Sequence, residues 1–396
     1  MNSIKVWPGR KDRHSRLLLS APVVSVVALA AVVTTACSTS SKPSATTSNP
    51  PVSTAATSSS TSAPTASYSW SSITPAALQT QLSNVGLGNA DYSVYKGKTV
   101  GIAELAPIEP VTRIDSDLKK CVKANGGNVT AVDVGGDPTK SKSTMQNFVQ
   151  QKVAAIYNDA LDPLLIDSEI KAANAARIPT ITAWSGETAH NVGINGLEFQ
   201  SAARLAQFMI DRLHGKGTIA MVVSTATASL RARDNALVGI LKEWPNIKVV
   251  STVSADVSSP TESGNKVVKG VLAAHPNIDA IWTDFDGIGQ GAAQAVKSTS
   301  GAHAFVVSFN GDSAALDLIR QPSNPFAATM ANDLELTGDV ACAEIAMMLS
   351  GQNPPAQQIY LDSPIVTKEN VPATGFVHGA GPFLLFTGAA DQRWPK

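Results

Sequence analysis

The sequence predicts an α/β protein made of doubly wound parallel sheets, and three observations carry that expectation. From Lys98 onward, short apolar runs alternate with amphipathic helical segments. Most of the runs are continuously apolar rather than alternating, the pattern of strands buried on both faces of a parallel sheet. At 396 residues and 43% hydrophobic content, the chain is long enough for two domains with separate cores.

The chain opens on Lys5, Arg10, Lys11, Arg13 and Arg16, followed by an uncharged run from Leu17 to Val33. A basic start before an apolar stretch of marginal length for a membrane span reads as a secretory signal over residues 1–36. The small residues Thr34, Thr35 and Ala36 lead to Cys37, and the group resembles a lipobox, with Thr34 where Leu is usual. That resemblance implies lipidation of Cys37; an ordinary signal peptide cut nearby is the alternative. Residues 37–76 are mostly Ser, Thr, Ala and Pro, a composition that cannot offset chain entropy by burial and so reads as a tether.

Nine strands are expected in the body of the chain: Thr99–Leu105, Val129–Val134, Val153–Tyr157, Ile178–Thr182, Thr218–Val223, Lys248–Ser254, Ala280–Thr283, Ala304–Phe309 and Ala327–Met330. Helical stripes lie between them. Ile114, Leu118, Cys121 and Val122 share one face of a helix closed by Gly126–Gly127, and Val267, Val268, Val271 and Leu272 repeat the pattern. Such units imply right-handed crossovers. A loop-like stretch at Asn191–Gly196 is the favoured break between two sheets.

Certain segments resemble the ribose/galactose type of periplasmic solute-binding protein, related to the core of LacI-type regulators. They are Gly135–Gly136–Asp137–Pro138, Ala175–Ala176–Arg177–Ile178–Pro179, Ser229–Leu230–Arg231–Ala232–Arg233 and Ala280–Ile281–Trp282–Thr283–Asp284–Phe285–Asp286. Val306–Val307–Ser308–Phe309–Asn310–Gly311 and Ala327–Ala328–Thr329–Met330–Ala331–Asn332 complete the set. The resemblance implies two doubly wound parallel-sheet lobes joined by three crossovers, with a ligand gripped between them. It assigns 77–195 plus 333–358 to the N-terminal lobe, 196–332 plus 359–370 to the C-terminal lobe, and 371–396 to an extension.

The same resemblance nominates ligand-binding residues. Arg233 matches a ligand-clamping arginine whose rigid fork can hold two hydroxyls or a carboxylate; a surface salt bridge is the plainer use. Asp286 matches a carboxylate that accepts ligand hydroxyls, although Asp at that point also suits a helix N-cap. Asn310, Asn332 and Asn158 match amide positions. Trp184 and Phe285 stand where the ribose pattern has polar residues. An aromatic face there would stack on a sugar ring or receive a cation, unless it packs beneath the cleft. Glu104 is a candidate by position, but the following Ala106–Pro107–Ile108–Glu109–Pro110 departs from the family's Asn and aromatic pair and implies a ligand other than ribose.

Cys121 lies on the apolar stripe of the first helix, and Cys342 on a stripe that the resemblance returns to the first lobe. The two are expected either to bridge or to remain separate buried thiols. Lys+Arg and Asp+Glu balance at 31 each, which gives no support to a nucleic-acid partner. Neither an enzyme motif nor metal-ligand spacing appears, so no catalytic residue, cofactor or metal is expected. The reading is a monomeric receptor, lipid-anchored to the outer face of the cytoplasmic membrane and touching the membrane only through that anchor. It would capture a carbohydrate-like solute for an ABC permease. A receptor for a cationic or aromatic molecule, a sensor feeding a membrane kinase and a divergent hydrolase are the alternatives.

Overall fold

A computed structural model of the chain describes residues 75–375 apart from 160, together with the strand at 384–386. The expected signal segment and Cys37 lie outside the described residues.

The first half runs α1 (Pro75–Asn84), β1 (Thr99–Glu104), α2 (Glu109–Ala124), β2 (Asn128–Asp133), α3 (Pro138–Gln150), β3 (Ala155–Asp159), α4 (Asp167–Ala175), β4 (Thr180–Ala183) and β5 (Val192–Gly196). The second runs α5 (Glu198–Arg212), β6 (Gly217–Val223), α6 (Ala228–Leu241), β7 (Ile247–Ser254), α7 (Pro260–Ala274), β8 (Ala280–Thr283), α8 (Asp286–Ser298), β9 (Phe305–Asn310), α9 (Ser313–Arg320) and β10 (Phe326–Ala331). After these come α10 (Leu334–Leu349), β11 (Gln358–Leu361), β12 (Ile365–Thr367) and β13 (Leu384–Phe386).

The strands form two sheets, ordered β13-β11-β5-β4-β3-β1-β2 and β12-β10-β9-β8-β6-β7. All pairings are parallel except those of β12 and β13. Each sheet is packed on both faces. In the first, Ile102 and Tyr157 meet α2 and α10 on one side, while Ala103 and Ile156 face Met145 and Ile170 on the other. Two covered faces are why the strands read as unbroken apolar runs.

All nine expected strands are present, and the stretch expected as loop at Asn191–Gly196 is instead largely β5. Its glycines and asparagines hide a strand whose order comes from pairing with β4 and β11. Buried Asn195 supports it by donating to Gln358 Oε1 at 2.9 Å. The chain passes between the sheets after Gly196, after Ala331 and after Leu361. Two expected boundaries move accordingly. Residues 359–361 pair with β5 in the first sheet, and the 371–396 segment returns to that sheet through β13.

Helices α2 and α10 clamp one face of the first sheet. A Cβ at Gly338 would lie 2.6 Å from the Ile114 carbonyl, so only glycine lets the backbones approach this closely. One turn further on, Cys121 and Cys342 are joined by a disulfide with Cα atoms 6.4 Å apart, and Tyr95 Oη donates to the Cys342 carbonyl at 2.6 Å. The bridge spans a sequence separation of 221 and ties the returning helix to the first.

Replacing both cysteines by serine is therefore expected to lower unfolding free energy by about 2–5 kcal/mol, the range for closing a long loop. Denaturant unfolding with peptide mapping of the unreduced, alkylated protein checks this. Alkylated thiols at both positions in the parent would refute the bridge.

Candidate ligand-binding cleft

In open α/β sheets the carboxyl ends of the strands carry the site. The cleft here is built from such ends on both sheets, and its cavity volume is about 70 Å³. The first lobe contributes Leu105 and Ile108 after β1, Asp159 at the end of β3, and Trp184 after β4. The second contributes Thr227, Ser229 and Arg233 around the start of α6, Phe285 before α8 and Asn310 at the end of β9, with Asn332 at the crossing after β10. Five of the eight expected ligand residues thus converge: Arg233, Trp184, Phe285, Asn310 and Asn332.

Arg233 is 3% exposed and makes four hydrogen bonds. Its Nε and one terminal nitrogen donate to Glu198 at 2.5 and 3.1 Å, and the other nitrogen donates to the Asp284 carbonyl at 2.8 Å and to Asn310 Oδ1 at 3.2 Å. The guanidinium also lies 4.7 Å from the Phe309 ring centroid. Asn332 donates to Asn310 Oδ1 at 3.2 Å and accepts from Ser363 Oγ at 2.7 Å. Asn310 takes φ 113° and Trp184 φ 49°, backbone strain that surrounding contacts must hold. The Trp184 indole does so by donating to Thr337 Oγ1 at 3.1 Å, and its ring covers Gly196, where a Cβ would lie 2.2 Å away.

The other three expected residues lie behind the walls. Asp286 is buried under the second lobe's edge, where its oxygens accept from the Asp312 amide and Thr329 Oγ1, both at 2.8 Å. Burial pushes its carboxyl up to about 7. Asn158 donates to the Leu161 carbonyl at 3.1 Å within its own turn. Glu104 pairs with Lys119, and its charge helps to raise the Asp115 carboxyl.

The residue that position-matching missed is Asp159. Strand alternation turns it to the face opposite Asn158, toward the cleft. It is fully buried, and neither carboxylate oxygen has a hydrogen-bond partner. Burial, then Asp115, then Glu104, push its carboxyl well above the usual range. Asp115 is driven up to about 8, chiefly by burial. Its sequence signal was an acid closing an apolar run. Among the described residues no group of three or more His, Cys, Asp or Glu is arranged to hold a metal ion.

Contacts also join the lobes across the cleft. Glu109 accepts from the Ser313 amide and hydroxyl, both at 2.7 Å; Ser229 Oγ donates to the Trp184 carbonyl at 2.8 Å; and Arg231 pairs with Asp162.

Two lobes, crossing strands and a shared cleft define a two-lobed ligand receptor. The chain belongs to the periplasmic binding protein family: the profile of the periplasmic binding protein domain matches residues 111–353. The ribose import binding protein of Bacillus subtilis is 30% identical over 241 residues, covering 59% of this chain and 76% of that protein. The xylitol-binding protein of Mycolicibacterium smegmatis is 24% identical, covering 69% and 78%. A solved ABC transporter solute-binding protein from Agrobacterium vitis with bound allitol superposes with a TM-score of 0.65 at 24% identity, covering 70% of this chain and 97% of that one.

Because Asp115 is neutral in the fold at pH values where the unfolded chain ionises it, its contribution to stability is full below about pH 4. It is lost as pH rises toward 8. Asp115→Asn is expected to flatten the fall in unfolding free energy over that range by on the order of 1 kcal/mol per pH unit. Denaturant titrations at pH 5 and pH 8 measure it; an unchanged slope would contradict the assignment.

Proposed function

We propose that the chain is the extracytoplasmic, lipid-anchored receptor of an ABC importer, closing its lobes over a small sugar or polyol. The observation that carries this reading is a cleft walled by both sheets in which a buried carboxylate, Asp159, waits without a donor. A ligand hydroxyl would give that carboxyl a hydrogen-bond partner, which counts for most in a dry site. Trp184 and Phe285 offer apolar faces to a ring, and Arg233, held by Glu198, presents a fixed polar edge. Contacts between the lobes, Glu109 with Ser313 and Arg231 with Asp162, support a hinge closure that would form and break them. The relatives named for ribose and xylitol import or binding support a polyhydroxylated ligand, and the import-named relative supports a membrane permease as partner. Lipidation of Cys37 would keep the receptor beside that partner.

Asp159→Ala separates function from folding. It removes a carboxylate that has no partner to lose, so the empty protein is expected to melt no lower than the parent. Ligand affinity is expected to fall by about 2–4 kcal/mol. A thermal-shift panel of sugars, polyols, nucleosides and amines, followed by titration calorimetry, reads both. Equal affinity in parent and variant would refute the site.

Cys37→Ser is expected to release the protein into the medium, because two acyl chains anchor stably where none does. Equal detergent-phase partitioning of the variant and the parent would remove the lipid anchor from the proposal.

A further inference from the structure

Several polar groups in the cleft already have partners within the protein. Arg233 spends its fork on Glu198, the Asp284 carbonyl and Asn310. Asn332 donates to Asn310 and accepts from Ser363. Ser229 donates to the Trp184 carbonyl, and the Thr227 hydroxyl accepts from the Leu230 amide at 3.3 Å. Among the side chains lining the cleft, the two Asp159 oxygens are the buried polar atoms that have no hydrogen-bond partner.

The rest of the wall is aliphatic. After β1 the chain presents Leu105, Ile108 and Pro110, and the second lobe presents Leu230 and Val257 beside Phe285. Ile108 packs on the core of the first lobe and Val257 on that of the second, yet both remain only half-buried. Each lobe thus brings part of its apolar core to the cleft surface. A fully hydroxylated sugar enclosed here would press hydroxyls against carbon. In a dry site each unpaired hydroxyl is costly, whereas a methyl or methylene in the same place gains by leaving water.

We propose that the ligand is a sugar or polyol with one apolar end, deoxygenated or carrying an alkyl or thioether group. Its hydroxylated end bonds Asp159, and its apolar end lies against Ile108, Pro110 and Val257. This rests on the polyol-receptor reading above and narrows its substrate class. The aliphatic segment after β1 makes Ile108 and Pro110 determinants of specificity.

The test is titration calorimetry of the full chain with sugars matched except at one terminal hydroxyl. The pairs are D-galactose with D-fucose, D-mannose with D-rhamnose, and D-ribose with 5-deoxy-D-ribose, and 5-S-methyl-5-thio-D-ribose supplies a longer apolar arm. In every pair that binds, the deoxy member is expected to bind about fourfold tighter, roughly the factor for one buried methyl group. The double variant Ile108→Ser, Val257→Ser is expected to reduce that preference to less than about twofold, with its melting curve confirming the fold. The comparison within the parent decides the matter even if the variant fails to fold. Tighter binding of the hydroxylated members, or a preference unchanged in a folded variant, would overturn the inference and leave the polyol reading standing. If none of these sugars nor any polyol binds, both fall.

Discussion

A parallel strand covered by helices on both faces has only its ends left to carry chemistry, and the crossover geometry sends the carboxyl ends of a sheet to one edge. In this chain two such edges face each other. Asp159 closes β3 and Trp184 follows β4 on one side; Phe285 follows β8 and Asn310 closes β9 on the other. The passages after Gly196, Ala331 and Leu361 keep the edges opposed. The cleft is therefore a consequence of how the sheets are wound, and the side chains at strand ends decide what it holds.

The polar groups around that cleft are arranged in depth. Glu198 stands at the first residue of α5, just past the first crossing, and grips Arg233 in a two-pronged pair. The Trp184 ring rests on Gly196, the last residue before that crossing. Two cleft residues are thus positioned by the segment on which the lobes would turn. In the first lobe, burial raises the carboxyls of Asp115 and Asp159. Lys119 pairs with Glu104 and opposes that rise. A partnerless buried carboxyl costs stability in the empty protein, and Asp115 and Glu344 carry that cost too.

The strands most legible in the sequence were those whose apolar runs record burial on both faces. β5 and β11 are illegible in the sequence because both are short, Val192–Gly196 is rich in Gly and Asn, and their order comes from pairing with each other across a long separation. Residue-level positions were harder. Asp286 follows β8 as a ligand residue would, but α8 begins at that residue and turns the carboxylate inward to the Asp312 amide and Thr329. Asn158 and Asp159 differ by one position, and the two-residue period of a strand sends only the second to the cleft. The disulfide was legible because both cysteines lay on apolar helical stripes, though only the packing of α2 on α10 brings them within bonding range.

The central claim is that Asp159 receives a ligand donor in a cleft shared by both lobes. A crystal structure with the most stabilising compound from the thermal-shift panel tests it most directly. The account expects a ligand hydroxyl within about 2.6–3.2 Å of the Asp159 carboxylate, with the ligand body between Trp184 and Phe285. A ligand bound elsewhere, or one in the cleft that leaves Asp159 without a partner, would contradict it.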